Sequence, residues 1–307
     1  MNATPAADRQ EPRLSVGVIS GGAVGTAVAE RLLQVGHHVH GIVARSERSR
    51  TRVRTRLPGV RVYDGTDGPD GIGAVAQAAL VVLAVPDPEL PEVVARVAQV
   101  VRSGQIVVHT AGALGCEVLQ PVTDTGALPL ALHPAMTFLD RSEDSDNLAG
   151  CAWGVTSDSE TGAAVADLLV TSMGGVAVPV AEDQRTVYHA ALAHGANHLV
   201  TQVVEALCML DRALGAHGPG EEDSRSALVL RRILPAAVDG ALNGRMGALT
   251  GPTSRDDATT VMRHLAALRE LGAPTAGPDL VASYRQAAER TARAVGALNV
   301  ERALDES

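Results

Sequence analysis

One stretch, LSVGVI-SGGAVG-TAVAERLLQV at residues 14–35, constrains the fold more than any other part of the sequence. An unbroken apolar run comes first. A turn carrying Gly21, Gly22 and Gly25 follows, and then apolar residues recur at helical spacing. A continuously apolar strand fits a sheet covered on both faces. A turn that opens straight into a helix carries the chain back over that sheet as a crossover. The reading is a strand at 14–19 and a helix at 24–35.

The alternation continues. Further strand candidates lie at 38–44, 60–63, 80–85, 105–110, 128–133, 151–156 and 175–180, with helical patterns at 89–101 and 160–172. Strands alternating with helices imply right-handed crossovers and a doubly wound α/β sheet. Beyond residue 181 no strand candidate appears. Helical stretches run at 183–215, 223–243, 254–271 and 278–298, separated by turn signals at 217–220, 250–252 and 272–274. The expected organisation is a Rossmann-like domain over 13–181 and an all-helical domain over 182–303, after a tail over 1–12 expected to be disordered. A chain of 307 residues accommodates two such domains.

Composition narrows the function. A net charge of −9 argues against a nucleic-acid partner. No apolar run reaches about 18 residues, so no membrane span is expected and the cytoplasm is the expected compartment. Cys116, Cys151 and Cys208 form no CxxC pair, which reads as buried, unreactive thiols. All 26 basic residues are arginine. Lysine Schiff-base and lysine acid chemistry are therefore excluded. Arginine stays protonated, so proton transfer falls to His, Asp, Glu, Cys, Tyr or water.

In the opening turn, Gly22 and Gly25 map to the second and third glycines of G-x-G-x-x-G. Gly22 would let the backbone approach a pyrophosphate, and Gly25 would permit close helix–strand packing. Ser20, Gly21, Gly22, Ala23, Val24 and Gly25 are the expected phosphate-binding set, over the free N–H groups of a helix N-terminus. Ser20 stands where the first glycine is usual. Gly21 is expected to absorb the unusual dihedrals, and the Ser20 hydroxyl to donate to a phosphate oxygen. The competing account is a tight turn without a ligand. No acid ends the second strand to hold a ribose 2′-hydroxyl, because the chain reads Ala44-Arg45-Ser46 there. Arg45, Ser46 and Arg48 would instead hold a 2′-phosphate, which favours NADP while leaving NAD open. Arg50, Arg52, Arg54 and Arg56 read as a solvated basic face. Val85, Pro86 and Thr110 follow strand ends and are expected to border the cofactor, or simply to shape loops.

Several polar residues are candidates for chemistry. Hydride transfer to a carbonyl or imine needs a proton donor and an oxyanion partner. His189 is expected to be the acid and Asn197 the orienting donor, about 80° apart on an ideal helix. His194 lies about 140° from His189, so only one of the two histidines is expected to face a given side. His133 sits at a strand end, where ligands of doubly wound sheets bind. Each histidine has a packing role as its alternative. His194 and His198 have i, i+4 spacing but no third ligand, so no metal is expected. Arg255 is the expected substrate clamp. Thr253 or Ser254 is expected to cap a helix, with Asp256 and Asp257 in its first turn.

Six segments together resemble a bacterial family: GVISGGAVGTA (17–27), LAVPD (83–87), HTAGALG (109–115), LHPAMTF (132–138), YHAALAHGANHLV (188–200) and LTGPTSRDD (249–257). In that family a Rossmann-like domain precedes a domain of unknown function, DUF2520. The family is similar to the 6-phosphogluconate and β-hydroxyacid dehydrogenase group, which includes ketopantoate and pyrroline-5-carboxylate reductases. The resemblance implies NAD(P) binding, a helical domain that builds a homodimer, and an active site in the interdomain cleft. Some distant relatives use a deazaflavin, which leaves that cofactor open. Many of the hydroxyacid dehydrogenases use a lysine with an asparagine one turn later. Asn197 matches the asparagine, but the lysine position is Ala193. The expected function is an NADP-dependent oxidoreductase acting on a small carbonyl- or imine-bearing carboxylate, a ketopantoate-like 2-oxo acid by analogy. A non-catalytic NADP-binding sensor or scaffold is the alternative.

Overall fold

The computed structural model describes residues 13–65, 71–215, 225–271 and 278–307. The tail at 1–12 and the turns expected at 217–220 and 272–274 lie outside the described residues. The chain divides into two compact units, Met1–Ala193 and His194–Ser307.

The first unit is built on one sheet. Its strands are β1 (Ser15–Ile19), β2 (His38–Val43), β3 (Arg61–Tyr63), β4 (Leu80–Leu83), β5 (Ile106–His109), β6 (Leu128–Pro134), β7 (Ala152–Thr156) and β8 (Val176–Pro179). They stand in the order β3-β2-β1-β4-β5-β6-β7-β8. Every neighbouring pair from β3 to β6 is parallel. β7 runs antiparallel to β6, and β8 parallel to β7. The reversal follows from the connection: between β6 and β7 there are only short 3-10 turns, with no helix to carry a parallel crossover.

Helices α1 (Ala23–Gln34), α2 (Glu47–Arg56), α3 (Ile72–Val75), α4 (Leu90–Ala98), α5 (Gln120–Thr123) and α6 (Glu160–Ser172) flank the sheet, and α7 (Arg185–Leu192) closes the unit. Two apolar clusters explain the continuous apolar strands. In β4, Leu80 and Val82 join Val16, Leu32 and Trp153 in one cluster. Val81 and Leu83 join Val94, Val107 and Leu119 in the other. Successive side chains of a strand face opposite ways, so both faces are covered and neither tolerates a polar residue.

The arginines of α2 depart from the expected solvated face. Arg48, Arg52 and Arg56 recur at i, i+4, so they share one side of the helix. Arg48 and Arg52 both pair with Asp140, and Arg56 pairs with Glu30 of α1. Arg52 also donates from Nη1 to the Gly21 carbonyl at 2.9 Å. The Arg52 and Arg56 side chains are only 11% and 10% exposed, so they act as struts; Arg54 remains largely in solvent.

The second unit contains α8 (His198–Ala213), α9 (Arg225–Gly244), α10 (Ala258–Glu270), α11 (Leu280–Val295) and α12 (Leu298–Asp305). α10, α11 and α12 share a core of Val261, Leu265, Ala288, Ala292, Val300 and Leu304. The cap of α10 differs from the expected Thr253 or Ser254. Those residues belong to a 3-10 turn that stops at Asp256, whose φ of 55° cannot continue a helix. Asp257 is the cap, accepting from the Thr260 N–H at 3.0 Å. The Asp256 carboxylate instead accepts from the amides of Asn299 and Val300, at 2.9 and 3.0 Å, and so caps α12. α8 and α9 contrast with this bundle. Among the described residues α8 buries none and α9 only Ser226, while Val200, Leu228, Ile233 and Leu242 are exposed. No helix among the described residues is long and apolar enough to cross a membrane.

Candidate functional site

The first candidate region is the turn between β1 and α1. Ser20 itself takes a φ of 98°, so the unusual dihedral falls on the serine and not on Gly21 as expected. A side-chain-bearing residue there costs on the order of 1–3 kcal/mol. The surroundings hold it: the Ser20 N–H donates to the Val43 carbonyl at 3.1 Å, and the Ser20 hydroxyl accepts from the Gly22 N–H at 3.3 Å. Gly25 is required by contact. A Cβ on it would lie 2.0 Å from the Ser20 carbonyl oxygen and 3.1 Å from Ala84 Cβ. Gly22 is less confined; a Cβ there would meet only one side-chain atom within 4 Å, Ser20 Oγ at 3.3 Å. Gly22 caps α1 without a side-chain bond, and the first helical bond runs from the Thr26 N–H to the Gly22 carbonyl. The amides of Ala23, Val24 and Gly25 are therefore left without helical acceptors at a positive dipole end.

Beside this turn is a pocket of about 150 Å³ at the carboxyl ends of β1, β2 and β4. It gathers Ser20, Gly21, Arg45, Ser46, Val85 and Pro86, all singled out from the sequence, and adds Ser49, Gly65 and Arg96. Arg45 pairs with Glu89, which is not itself among the lining residues. Ser46 caps α2, accepting from the Ser49 N–H at 3.1 Å. Arg48 turns away to Asp140 at 3.3 Å and is not among the lining residues. Thr110 is also outside the lining; its N–H donates to Leu83 at 3.1 Å as β5 ends. Arg96 was missed in the sequence, although it lies three residues after the pocket residue Val93, on the same helical face.

The second region lies at the ends of β5 and β6, beneath α7. His109 is fully buried. Its Nδ1 accepts from the Ala111 N–H at 3.1 Å, and its Nε2 is 2.8 Å from the Gly115 carbonyl, so the proton sits on Nε2. Burial pushes its pKa down to about 4. His109 thus fixes the loop at 109–115 from inside. His133 Nδ1 lies 3.0 Å from Tyr188 Oη, and its ring meets those of Tyr188 and His189 edge-on. Burial first, then the charges of His189, Arg185 and His109, push the His133 imidazolium down to about 4. A Cβ on Gly112 would sit 2.5 Å from His189 Cδ2 and 3.1 Å from both His133 Nε2 and His189 Nε2. Two ring nitrogens therefore converge on one bare backbone position.

Buried side chains support this convergence. Arg185 is 1% exposed, and its Nε donates to Thr156 Oγ1 at 2.7 Å. Its Nη2 donates to the Ala131 and Gly154 carbonyls at 2.7 and 3.2 Å, while Nη1 has no hydrogen-bond partner among the described residues. Glu182 accepts from the amides of Cys116 and Glu117 at 2.6 and 3.2 Å, tying the β5 loop to the segment before α7. Burial pushes the Cys116 thiol up to about 12, so it stays an inert thiol. Glu182, Arg185, Tyr188 and Gly112 escaped sequence reasoning. The spacing from Glu182 to Arg185 to Tyr188 and His189 is helical, and that periodicity was the available signal.

The remaining candidates lie in the second unit. His194 and Asn197 belong to a π-helical turn, Ala193–Asn197, where the 3.6-residue spacing used to place them on a face with His189 does not hold. His194 Nδ1 is 3.0 Å from His198 Nδ1. Arg255 is exposed at the end of its 3-10 turn. Among the described residues, no three His, Cys, Asp or Glu side chains assemble as a metal-binding group.

Residues 1–134 match the family model of the Rossmann-like domain, and residues 151–291 match the domain of unknown function DUF2520. Comparison with curated proteins gives no match. Among solved structures, a candidate NADP oxidoreductase from Bacteroides fragilis is 17% identical with a TM-score of 0.71, over 92% of this chain and 98% of that one. A reductive aminase from Aspergillus terreus, in complex with NADPH and ethyl levulinate, is 16% identical with a TM-score of 0.63, over 96% and 99%. An imine reductase from Aspergillus terreus, in complex with NADPH4 and a dibenzazepine, is 16% identical with a TM-score of 0.59, over 97% and 100%. At these identities the likeness is one of fold. The chain belongs to the proteins that join a Rossmann-like domain to a DUF2520 domain.

Proposed function

We propose that the protein is an NADP-dependent oxidoreductase that reduces the C=O or C=N bond of a small molecule, a 2-oxo acid being the first substrate class to test. The carrying observation is the pairing of an open glycine turn with two imidazole nitrogens converging on Gly112. The unsatisfied amides of Ala23, Val24 and Gly25 suit a pyrophosphate, and the bare Gly22 leaves it room. Arg45 and Ser46 line the pocket where an NAD-type fold would place an acid, which supports a 2′-phosphate. The shared fold with NADPH-bound reductive aminase and imine reductase is consistent with this choice.

When bound, NADPH supplies a hydride. The protein must then deliver a proton to the substrate oxygen or nitrogen. No lysine exists to do so, and both thiols nearest the sheet are buried. The Nε2 atoms of His133 and His189 are the donors the geometry offers. Ketopantoate reductases, which the sequence resembles, put 2-oxo acids first among substrates. The exposed apolar residues of α8 and α9 support a second copy as the partner that covers them, giving a homodimer.

NADPH oxidation against 2-oxo acids, neutral ketones and ketone–amine mixtures tests the proposal. The expected result is turnover with kcat/KM at least about tenfold higher for NADPH than for NADH, and a loss of about 10²-fold in kcat for His189→Ala. NADPH binding without turnover on any substrate, unchanged in His189→Ala, would favour the sensor instead.

A further inference from the structure

We propose that Tyr188 and His133 form a proton relay: His133 gives the proton on Nε2 to the substrate while the Tyr188 hydroxyl replaces it at Nδ1, with Arg185 as the positioning residue beneath them. The inference deepens the function proposed above, but its geometry is read independently of it.

The relay assigns a direction to the hydrogen bond between Tyr188 and His133. Tyr188 Oη lies against β7, where a Cβ on Gly154 would be 2.6 Å from it. Tyr188 Oη lies 3.0 Å from His133 Nδ1, and the relay has the Tyr188 O–H donate to that nitrogen. A neutral imidazole that accepts at Nδ1 carries its proton on Nε2. That Nε2 faces Gly112, the position His189 Nε2 also approaches.

The groups facing His133 favour a neutral ring. Tyr188 and His189 reach it from α7, Arg185 from the base of α7, and His109 from β5. Three of these are cationic or become so in acid. The Glu182 carboxylate, which acts on Arg185, is held by the amides of Cys116 and Glu117. A neutral imidazole has one proton to give, and giving it alone would leave an imidazolate. The relay removes that obstacle. With the hydride that a bound dihydronicotinamide would supply to the substrate carbon, the C=O or C=N π pair would move to the heteroatom. The Nε2 proton bonds to that heteroatom as the Oη proton bonds to Nδ1. His133 ends neutral in the other tautomer and Tyr188 ends as a phenolate, reprotonated from water. Burial pushes the Tyr188 hydroxyl up, and the Arg185 charge opposes that shift: its guanidinium carbon is 5.9 Å from the Tyr188 ring centroid, and its Nη1 has no hydrogen-bond partner among the described residues.

Imidazole nitrogen NMR on the full-length protein with labelled histidine tests the relay without any substrate. The expected result is a His133 signal with Nε2 protonated and no titration from about pH 8 to about 5.5. Tyr188→Phe is expected to raise the Nδ1-protonated share. A His133 that carries its proton on Nδ1, or titrates near about 6.5, overturns the relay. With a substrate in hand, solvent-isotope inventories give a second readout. Wild type should show two protons in flight, and Tyr188→Phe should show one, with kcat lowered about 10²-fold and KM little changed. Full kcat in Tyr188→Phe would also overturn it. Failure of NADPH to bind would sink the proposed function but would not move the NMR result, so the two are separable.

Discussion

Gly25→Ala will destabilise the protein by about 3 kcal/mol, although the same exchange inside an unobstructed helix stabilises by about 1 kcal/mol. The reversed sign comes from contact. The new methyl would sit 2.0 Å from the Ser20 carbonyl oxygen, a backbone atom. Ser20 cannot yield, because its own N–H is bonded to Val43 of β2 and its φ is already 98°. Helix α1 must therefore move off the sheet, opening the apolar contacts of Ala27, Val28 and Leu32. Gly22→Ala is the informative partner. Its methyl meets nothing nearer than Ser20 Oγ at 3.3 Å, so urea unfolding should show stability within about 0.5 kcal/mol of wild type. The same methyl fills the space left for a pyrophosphate, so NADPH affinity should drop about 100-fold. Equal stability of the two variants would show that α1 does not pack on β1 as described.

Acid will cost the protein about 3 kcal/mol between about pH 6.5 and about pH 4, through His109 alone. Its folded pKa is pushed down to about 4 by burial, whereas an unfolded histidine titrates near about 6.5. As pH falls through that window the unfolded chain takes up the proton first, so unfolding is favoured. Below the folded value both states are protonated and the loss levels off. The gap of about 2.5 pH units, at about 1.36 kcal/mol each, sets the size. His133 titrates in the same direction but is partly open to solvent, so its share is smaller. Urea midpoints measured from pH 7.5 downward will show the slope. His109→Gln should be less stable at neutral pH, because Gly115 and Ala111 lose their partner, yet flatter in acid. An equally steep slope in that variant would place the titration elsewhere.

The fold was legible because its signals are local. Unbroken apolar runs such as Leu80–Leu83 mark central strands, and glycine next to a strand end marks a crossover. The direction of β7 was not legible, since nothing in residues 135–151 announces that the helix of a crossover is missing. The glycine turn could be placed by spacing alone. Which of its residues bears the positive φ could not, because a serine held by Val43 and Gly22 depends on contacts far along the chain. The α2 arginines failed for the same reason: Asp140 and Glu30 are distant in sequence, so a charge run that looks solvated is in fact paired. In the second region, His133 and His189 were chosen for their chemistry. Tyr188, Arg185 and Glu182 matter through what they touch, on β6, β7 and the β5 loop, and only the folded chain brings those together.

The proposed function depends on the amides opening α1 holding the pyrophosphate of NADPH. Calorimetric titration of the full-length wild-type protein with NADPH and with NADH tests it most directly. One site per chain is expected, with a Kd for NADPH of about 10 μM or tighter and at least about tenfold weaker binding of NADH. No detectable heat at millimolar NADPH, with the protein folded by circular dichroism, would contradict it.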